Sequence, residues 1–81
     1  MPEAFRTALR AQLAILANGA DFTDTDDLFE SGAIKSLHLI ELIAFVEDTF
    51  RIELHERDVF EGRLRSVEQL LRLVAERRSV A

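Results

Sequence analysis

Residues 28–42 of this 81-residue chain read LFESGAIKSLHLIEL and place a serine at the apparent start of the most hydrophobic predicted helix. Gly32 lies four positions before Ser36, and neither glycine nor proline recurs until Gly62. The pattern predicts that a loop ends and a helix begins at Ser36, because glycine and proline are the residues that most often interrupt helices. The Ser36 hydroxyl then has two possible roles: it is a helix cap or a point of attachment.

The predicted helix from Ser36 to about Phe50 has two apolar faces at about 100° per residue. The first face, predicted to be the core stripe, consists of Leu39, Leu42, Ile43, Val46 and Phe50. The second face consists of Leu37, Ile40 and Ala44, and it is flanked by Glu41, Glu47 and Asp48. Because one stripe suffices in a small bundle, the second face is either another core contact or an exposed docking surface.

Three more helices are predicted, one before this segment and two after it. Apolar residues at helical spacing predict one over residues 3–17, with Pro2 in its first turn and Asn18-Gly19 at its end. Residues 56–61 predict a short helix before Gly62. Ser66 to Gln69 match the S-x-x-Q capping box and predict a helix over about 66–78, beyond which the chain is expected to fray.

With no strand pattern, the fold class is all-α: a small four-helix bundle of three longer helices and one short one. A long loop, residues 18–35, joins its first two long helices. The loop holds five acids, and its apolar residues predict that it is pinned across the bundle. Asp26 or Asp27 is expected to cap a short turn there.

Length and composition bound the function. A chain this short predicts a single domain, residues 1–81, and leaves little room for a deep catalytic cleft, which argues against an enzyme. It has no cysteine, so disulfides and thiolate metal sites are excluded. No leader pattern and no run approaching the about 18 apolar residues of a membrane span is present. We therefore expect a cytoplasmic protein without a membrane span.

The net charge of −5 is concentrated in the first part of the chain, where residues 1–50 hold nine acids and three bases. Nucleic-acid binding requires a basic face, so nucleic acid is not an expected partner. Proteins with basic docking patches are expected instead.

Two metal hypotheses are weak. His38 and Glu41 lie three residues apart on one helix face and form half a metal site, but no second half is evident. The acidic loop resembles an EF-hand from Asp24, yet Leu28 and Phe29 occupy positions where a ligand and a glycine are needed. A solvated helix face and a solvated loop are the preferred interpretations, and no metal site or catalytic residue is predicted.

Several blocks of the chain resemble the acyl and peptidyl carrier protein family. They are Asp27-Leu28-Phe29-Glu30-Ser31-Gly32, Ser36-Leu37, Glu41-Leu42 and Phe45-Val46-Glu47-Asp48-Thr49-Phe50. The resemblance covers nearly the whole chain, and the LFE-x-G pattern is similar to free-standing carriers of D-alanyl or specialised polyketide and nonribosomal peptide type.

The resemblance implies that Ser36 receives a covalent 4′-phosphopantetheine arm from coenzyme A through a phosphopantetheinyl transferase. The thiol of the arm then holds an acyl or aminoacyl group as a thioester. The implied partners are an acyl- or aminoacyl-loading ligase and downstream synthases or transferases, which perform the chemistry on a carrier expected to be monomeric. The cargo, and the choice among fatty-acid, polyketide, nonribosomal peptide and D-alanylation pathways, stay open.

By position, the resemblance also implies a partner-docking face that consists of Lys35, Leu37, His38, Ile40, Glu41, Ala44, Glu47 and Asp48. Lys35 stands where the family usually has aspartate, beside the phosphate, and His38 stands where fatty-acid carriers often have an acid. Both departures favour a dedicated biosynthetic pathway. Phe45, Val59 and Phe60 are a hypothetical shelter for the cargo. The alternative function is an unmodified helical interaction module in which Ser36 is a plain cap.

Overall fold

The computed structural model describes residues 3–79, with side chains through Arg78. Four α-helices lie in this range: α1 (Glu3–Leu16), α2 (Leu39–Phe50), α3 (Glu56–Phe60) and α4 (Val67–Ser79). A 3₁₀ turn, Ser36–His38, directly precedes α2, and no residue of the described range forms a strand. The predicted all-α bundle with three longer helices, one short helix and a long first loop is therefore confirmed. The expectations for Pro2 and for residues 80–81 lie outside the described residues.

The hydrophobic core lies where α1 packs against both α2 and α4. Leu42, Val46 and Phe50 are buried on α2, with Leu39 and Ile43 half-buried at the edges of the predicted stripe. Matching leucines of α1 and apolar residues of α4 complete the core: Leu9, Leu13, Leu16, Leu70, Leu73 and Val74. The buried face of α2 thus agrees with the periodicity of the sequence, and its second apolar face is left outside the core.

The long loop is pinned across the bundle, as its apolar residues predicted. Leu28 and Ile34 are buried, and the Leu28 N–H donates to the Arg65 carbonyl at 2.7 Å. The Glu68 N–H donates to the Asp24 carbonyl at 3.0 Å, which joins the loop to the first turn of α4. These buried side chains and backbone hydrogen bonds fix the loop against the bundle.

Two arginines at the end of α4 hold the neighbouring helices. Arg78 donates to the Phe50 carbonyl at the end of α2 at 2.5 Å. Arg77 forms two hydrogen bonds with the buried carboxylate of Asp58 on α3, at 2.6 and 3.0 Å. The same carboxylate accepts the His55 N–H at 2.8 Å and so caps α3. Burial alone raises the pKa of Asp58, but the bonds from Arg77 and His55 lower that pKa below its ordinary value.

No helix among residues 3–79 combines the length and the apolar character that crossing a bilayer requires.

Candidate functional site

The turn that presents Ser36 is capped by its neighbours. Lys35 takes the N-cap position with extended backbone angles (φ −103°, ψ 159°), and Ser36 is the first residue inside the turn. The Lys35 N–H donates to Nδ1 of His38 at 3.2 Å, and the His38 N–H donates to the Lys35 carbonyl at 2.9 Å. Of the two roles left open for Ser36, the helix cap is thus filled by Lys35, and the helical segment opens as a 3₁₀ turn.

The cause of this shift lies just before the turn. Ile34 is buried and its N–H donates to the Leu28 carbonyl at 2.9 Å, so Lys35 is the last extended residue of the loop. Histidine supplies the acceptor that glutamate or glutamine provides in an ordinary capping box. A search for S/T-x-x-E/Q does not detect this arrangement, which explains why the sequence left a cap at Ser36 as an open alternative.

The Ser36 side chain is exposed, and its hydroxyl makes no hydrogen bond to any residue in the described range 3–78. The nearest candidate base in sequence, His38, already uses Nδ1 to accept the Lys35 N–H. The hydroxyl is thus accessible from outside the protein, and His38 is not available to it as a base.

Ser36 lines an open cavity of about 400 Å³ beside the start of α2. Its other lining residues come from the loop, α2, α3 and the segment before α4: Phe29, Glu30, Leu39, Val59, Leu64 and Arg65. The cavity is mostly apolar and has one acid and one base at its wall. It therefore offers a chemically mixed surface next to the exposed hydroxyl.

Arg65 lines this cavity and is held by Asp27, which comes from a distant part of the chain and lies outside the cavity lining. Nε of Arg65 donates to Oδ2 of Asp27 at 2.6 Å, and the guanidinium carbon lies 5.7 Å from the centroid of the Phe29 ring. Oδ1 of Asp27 accepts the N–H groups of Phe29 and Glu30 at 3.0 and 2.9 Å, which confirms the predicted capped turn. The Arg65 and Glu30 hydrogen bonds lower the pKa of Asp27, and the Asp27 hydrogen bond raises the pKa of Arg65.

A second groove, of about 650 Å³, lies on the other side of the Ser36 turn, against the end of α1. Lys35, Leu37, His38 and Glu41 line it together with Ile15. Lys35 and Ser36 therefore line different surfaces of the protein, although they are adjacent in sequence. The sequence did not predict that Ile15 is exposed on this groove, with 71% of its surface accessible. Its position off the buried stripe of Leu9, Leu13 and Leu16 is the signal that could have revealed it.

The residues of the predicted docking face do not share one environment. Leu37 and Ile40 are 71% and 80% exposed. Four polar or small members are also exposed, namely Lys35, Glu41, Ala44 and Asp48. His38 and Glu47 are half-buried, and Oε2 of Glu47 accepts the Leu54 N–H at 2.9 Å, so this carboxylate holds the connection to α3.

The hypothetical cargo shelter agrees with the structure at one residue. Val59 lines the cavity beside Ser36. Phe45 instead packs edge-on against Phe50, with ring centroids 6.2 Å apart, and Phe60 is 84% exposed at the end of α3. Leu39 and Phe29 also line this cavity, and neither was predicted from the sequence to do so.

Within the described residues, no three or more His, Cys, Asp or Glu side chains are grouped in a way that suits a metal ion. Asp24 is bound by Arg6 and by Arg10, the latter at 2.6 Å, and Asp26 accepts the Thr23 N–H at 2.8 Å. Asp24, Asp26 and Asp27 of the loop therefore bind the protein's own arginines and backbone.

Comparison with known families matches residues 3–74 to a family described as phosphopantetheine attachment site. The matched segment runs from the start of α1 into α4 and contains the Ser36 turn, the cavity and the pinned loop. Comparisons with curated proteins and with solved structures give no match.

Proposed function

The chain belongs to the family of phosphopantetheine attachment domains, and we propose that Ser36 is the residue to which the group is attached. The family binds 4′-phosphopantetheine covalently. The observation that supports Ser36 is its state: the hydroxyl is exposed, has no hydrogen bond within the described residues and opens onto a cavity.

The other serines with described side chains fit the group less well. Oγ of Ser31 donates to the Leu28 carbonyl and accepts the Ala33 N–H, both at 3.4 Å. Ser66 is buried, and its Oγ accepts the Gln69 N–H at 3.1 Å. Attachment at either hydroxyl would cost a local hydrogen bond, whereas attachment at Ser36 costs none.

The attachment step uses the hydroxyl as a nucleophile. Oγ of Ser36 attacks the β-phosphorus of coenzyme A, a phosphodiester bond forms, and 3′,5′-bisphosphoadenosine leaves with the electrons of the broken P–O bond. The serine proton passes to a base of the transferase, because His38 is occupied by the Lys35 N–H. When bound, the group supplies a terminal thiol that holds an acyl or aminoacyl cargo as a thioester.

We further propose that the exposed second face of α2 is the docking surface for partner enzymes. Leu37, Ile40 and Ala44 would make weak apolar contacts, and Glu41 and Asp48 would steer partners with basic patches. The proposed partners are a phosphopantetheinyl transferase, a loading ligase and downstream synthases or transferases of a specialised pathway. The chain itself would act as a monomeric, single-domain carrier, not an enzyme. A cytoplasmic location stays a prediction.

Intact-mass measurement tests the attachment site. We expect the protein incubated with a broad-specificity transferase, coenzyme A and Mg²⁺ to gain the mass of one phosphopantetheine group. Ser36→Ala should gain nothing, and the matched variant Ser31→Ala should gain as much as the parent. Absence of any gain with several transferases would favour the unmodified interaction module, and a gain in Ser36→Ala would move the site elsewhere.

A further inference from the structure

Two cations flank Ser36, and they lie on different surfaces. Lys35 is the neighbour in sequence, but it lines the groove between the turn and the end of α1. Arg65 is distant in sequence, yet it lines the same cavity as Ser36. A group attached to the Ser36 hydroxyl and directed into its cavity would therefore meet Arg65.

The guanidinium of Arg65 is held in place and only partly used. Its Nε donates to Asp27 and its plane lies near the Phe29 ring, which restricts its rotation. Neither terminal nitrogen has a hydrogen-bond partner among residues 3–78. A guanidinium fixed along one edge leaves N–H donors on the other, and such donors bind phosphate oxygens more strongly than neutral acceptors.

We propose that Arg65 holds the phosphodiester of the group attached at Ser36 through its free terminal N–H groups, so that the arm starts along the cavity and not along the Lys35 groove. This inference rests on the proposed function, because it needs the arm to be at Ser36. Glu30 lines the same cavity and repels the phosphate. The contact is therefore moderate and reversible, which suits an arm that has to leave the surface to reach a partner enzyme.

The experiment compares the apo- and holo-proteins by nuclear magnetic resonance, with conversion confirmed by mass. We expect the Arg65 Nε–H signal to move more on conversion than that of any other arginine, and part of this shift to be lost at high salt. Glu30→Gln should enlarge the shift, because the competing charge is removed. This measurement on the parent protein needs no substitution at Arg65.

Substitutions then test whether the charge of Arg65, and not the loop around it, restrains the phosphodiester. The ³¹P line of the holo-protein should narrow in Arg65→Gln, since the phosphodiester gains freedom. It should stay unchanged in Arg57→Gln, a matched loss of an exposed arginine that lies outside the cavity lining. It should narrow less in Asp27→Asn than in Arg65→Gln, because Asn keeps an oxygen that can accept the Nε–H and the guanidinium stays.

The outcomes are distinguishable. If no mass is gained, the proposed function and this inference both fall. If the mass is gained while the Arg65 signal stays in place and Arg65→Gln leaves the ³¹P line unchanged, the inference is overturned and the carrier function stands. Equal narrowing in Asp27→Asn and Arg65→Gln would mean that the loop restrains the group, and would overturn the inference as well.

Discussion

Ser36 and Ser66 each stand at the start of a segment that the sequence predicts to be helical, but their hydroxyls have opposite environments in the structure. Ser66 is buried, and its hydroxyl accepts the Gln69 N–H at the start of α4. Ser36 is exposed, and the start of its turn is closed by Lys35 and His38. A serine before a helix is therefore free for chemistry only where another residue takes over the cap.

The start of α3 provides a third case, in which His55 is the N-cap and a buried carboxylate three residues later accepts its N–H. Asp58 caps α3 through the His55 N–H and pairs with Arg77 on α4. At the starts of α3 and α4, the side-chain oxygens of Asp58 and Ser66 are buried and hydrogen-bonded. At the Ser36 turn, by contrast, the serine hydroxyl is exposed and makes no hydrogen bond within the described residues. This contrast separates residues that stabilise the fold from the residue proposed to be modified.

The largest effect is expected for Asp58→Asn. It leaves the Arg77 guanidinium without its charged partner in a buried setting, and we expect the free energy of unfolding to fall by about 3 kcal/mol at pH 7. Because the folded-state pKa of Asp58 is lowered, its contribution is complete above the ordinary carboxyl pKa and is lost as the pH falls through the folded value.

Urea unfolding of the parent and of Asp58→Asn across this pH range checks the prediction. The difference between the two proteins should shrink towards acid, while phosphopantetheine transfer at pH 7 should persist in the variant wherever it stays folded. A difference that is the same at every pH would contradict the charged pairing.

A smaller effect is expected when the two serines are each replaced by alanine. Ser66→Ala should lower the free energy of unfolding by about 1 kcal/mol, because the Gln69 N–H loses its acceptor, and should keep the mass gain. Ser36→Ala should change stability by less than about 0.5 kcal/mol and should lose the mass gain. Paired unfolding and mass measurements on both variants test this, and equal destabilisation would indicate that Ser36 is also a cap.

Local patterns in the sequence predicted the parts of this arrangement that depend on neighbouring residues. The stripe of Leu42, Val46 and Phe50 and the cap at Ser66 follow from spacings of three and four residues, and both are confirmed. The predicted helix boundaries agree with the structure to within a few residues. Exposure of Leu37 and Ile40 follows from the same periodicity, because they fall off the core stripe.

The parts that the sequence did not predict depend on a missing pattern or on long-range packing. Histidine is not a usual acceptor at the third position of a capping box, so the cap formed by His38 was not detected. The approach of Arg65 to the Ser36 cavity results from the pairing of the long loop with the segment before α4, through the Leu28 N–H and Asp27. No periodicity along the chain encodes that contact.

The smallest effect is expected at His38, and it tests directly which residue closes the Ser36 turn. His38→Ala removes the acceptor of the Lys35 N–H and should cost only about 0.5 kcal/mol, because the bond is near the surface. Amide hydrogen exchange is the more sensitive measurement: the Lys35 amide should exchange faster in His38→Ala and at the parent rate in Ser36→Ala. His38→Gln, which keeps an acceptor, should retain part of the protection. If Ser36→Ala instead accelerated exchange of the His38 or Leu39 amide, the two amides that a serine N-cap at position 36 would bind, the hydroxyl would be a cap, and its availability for attachment would lose its structural support.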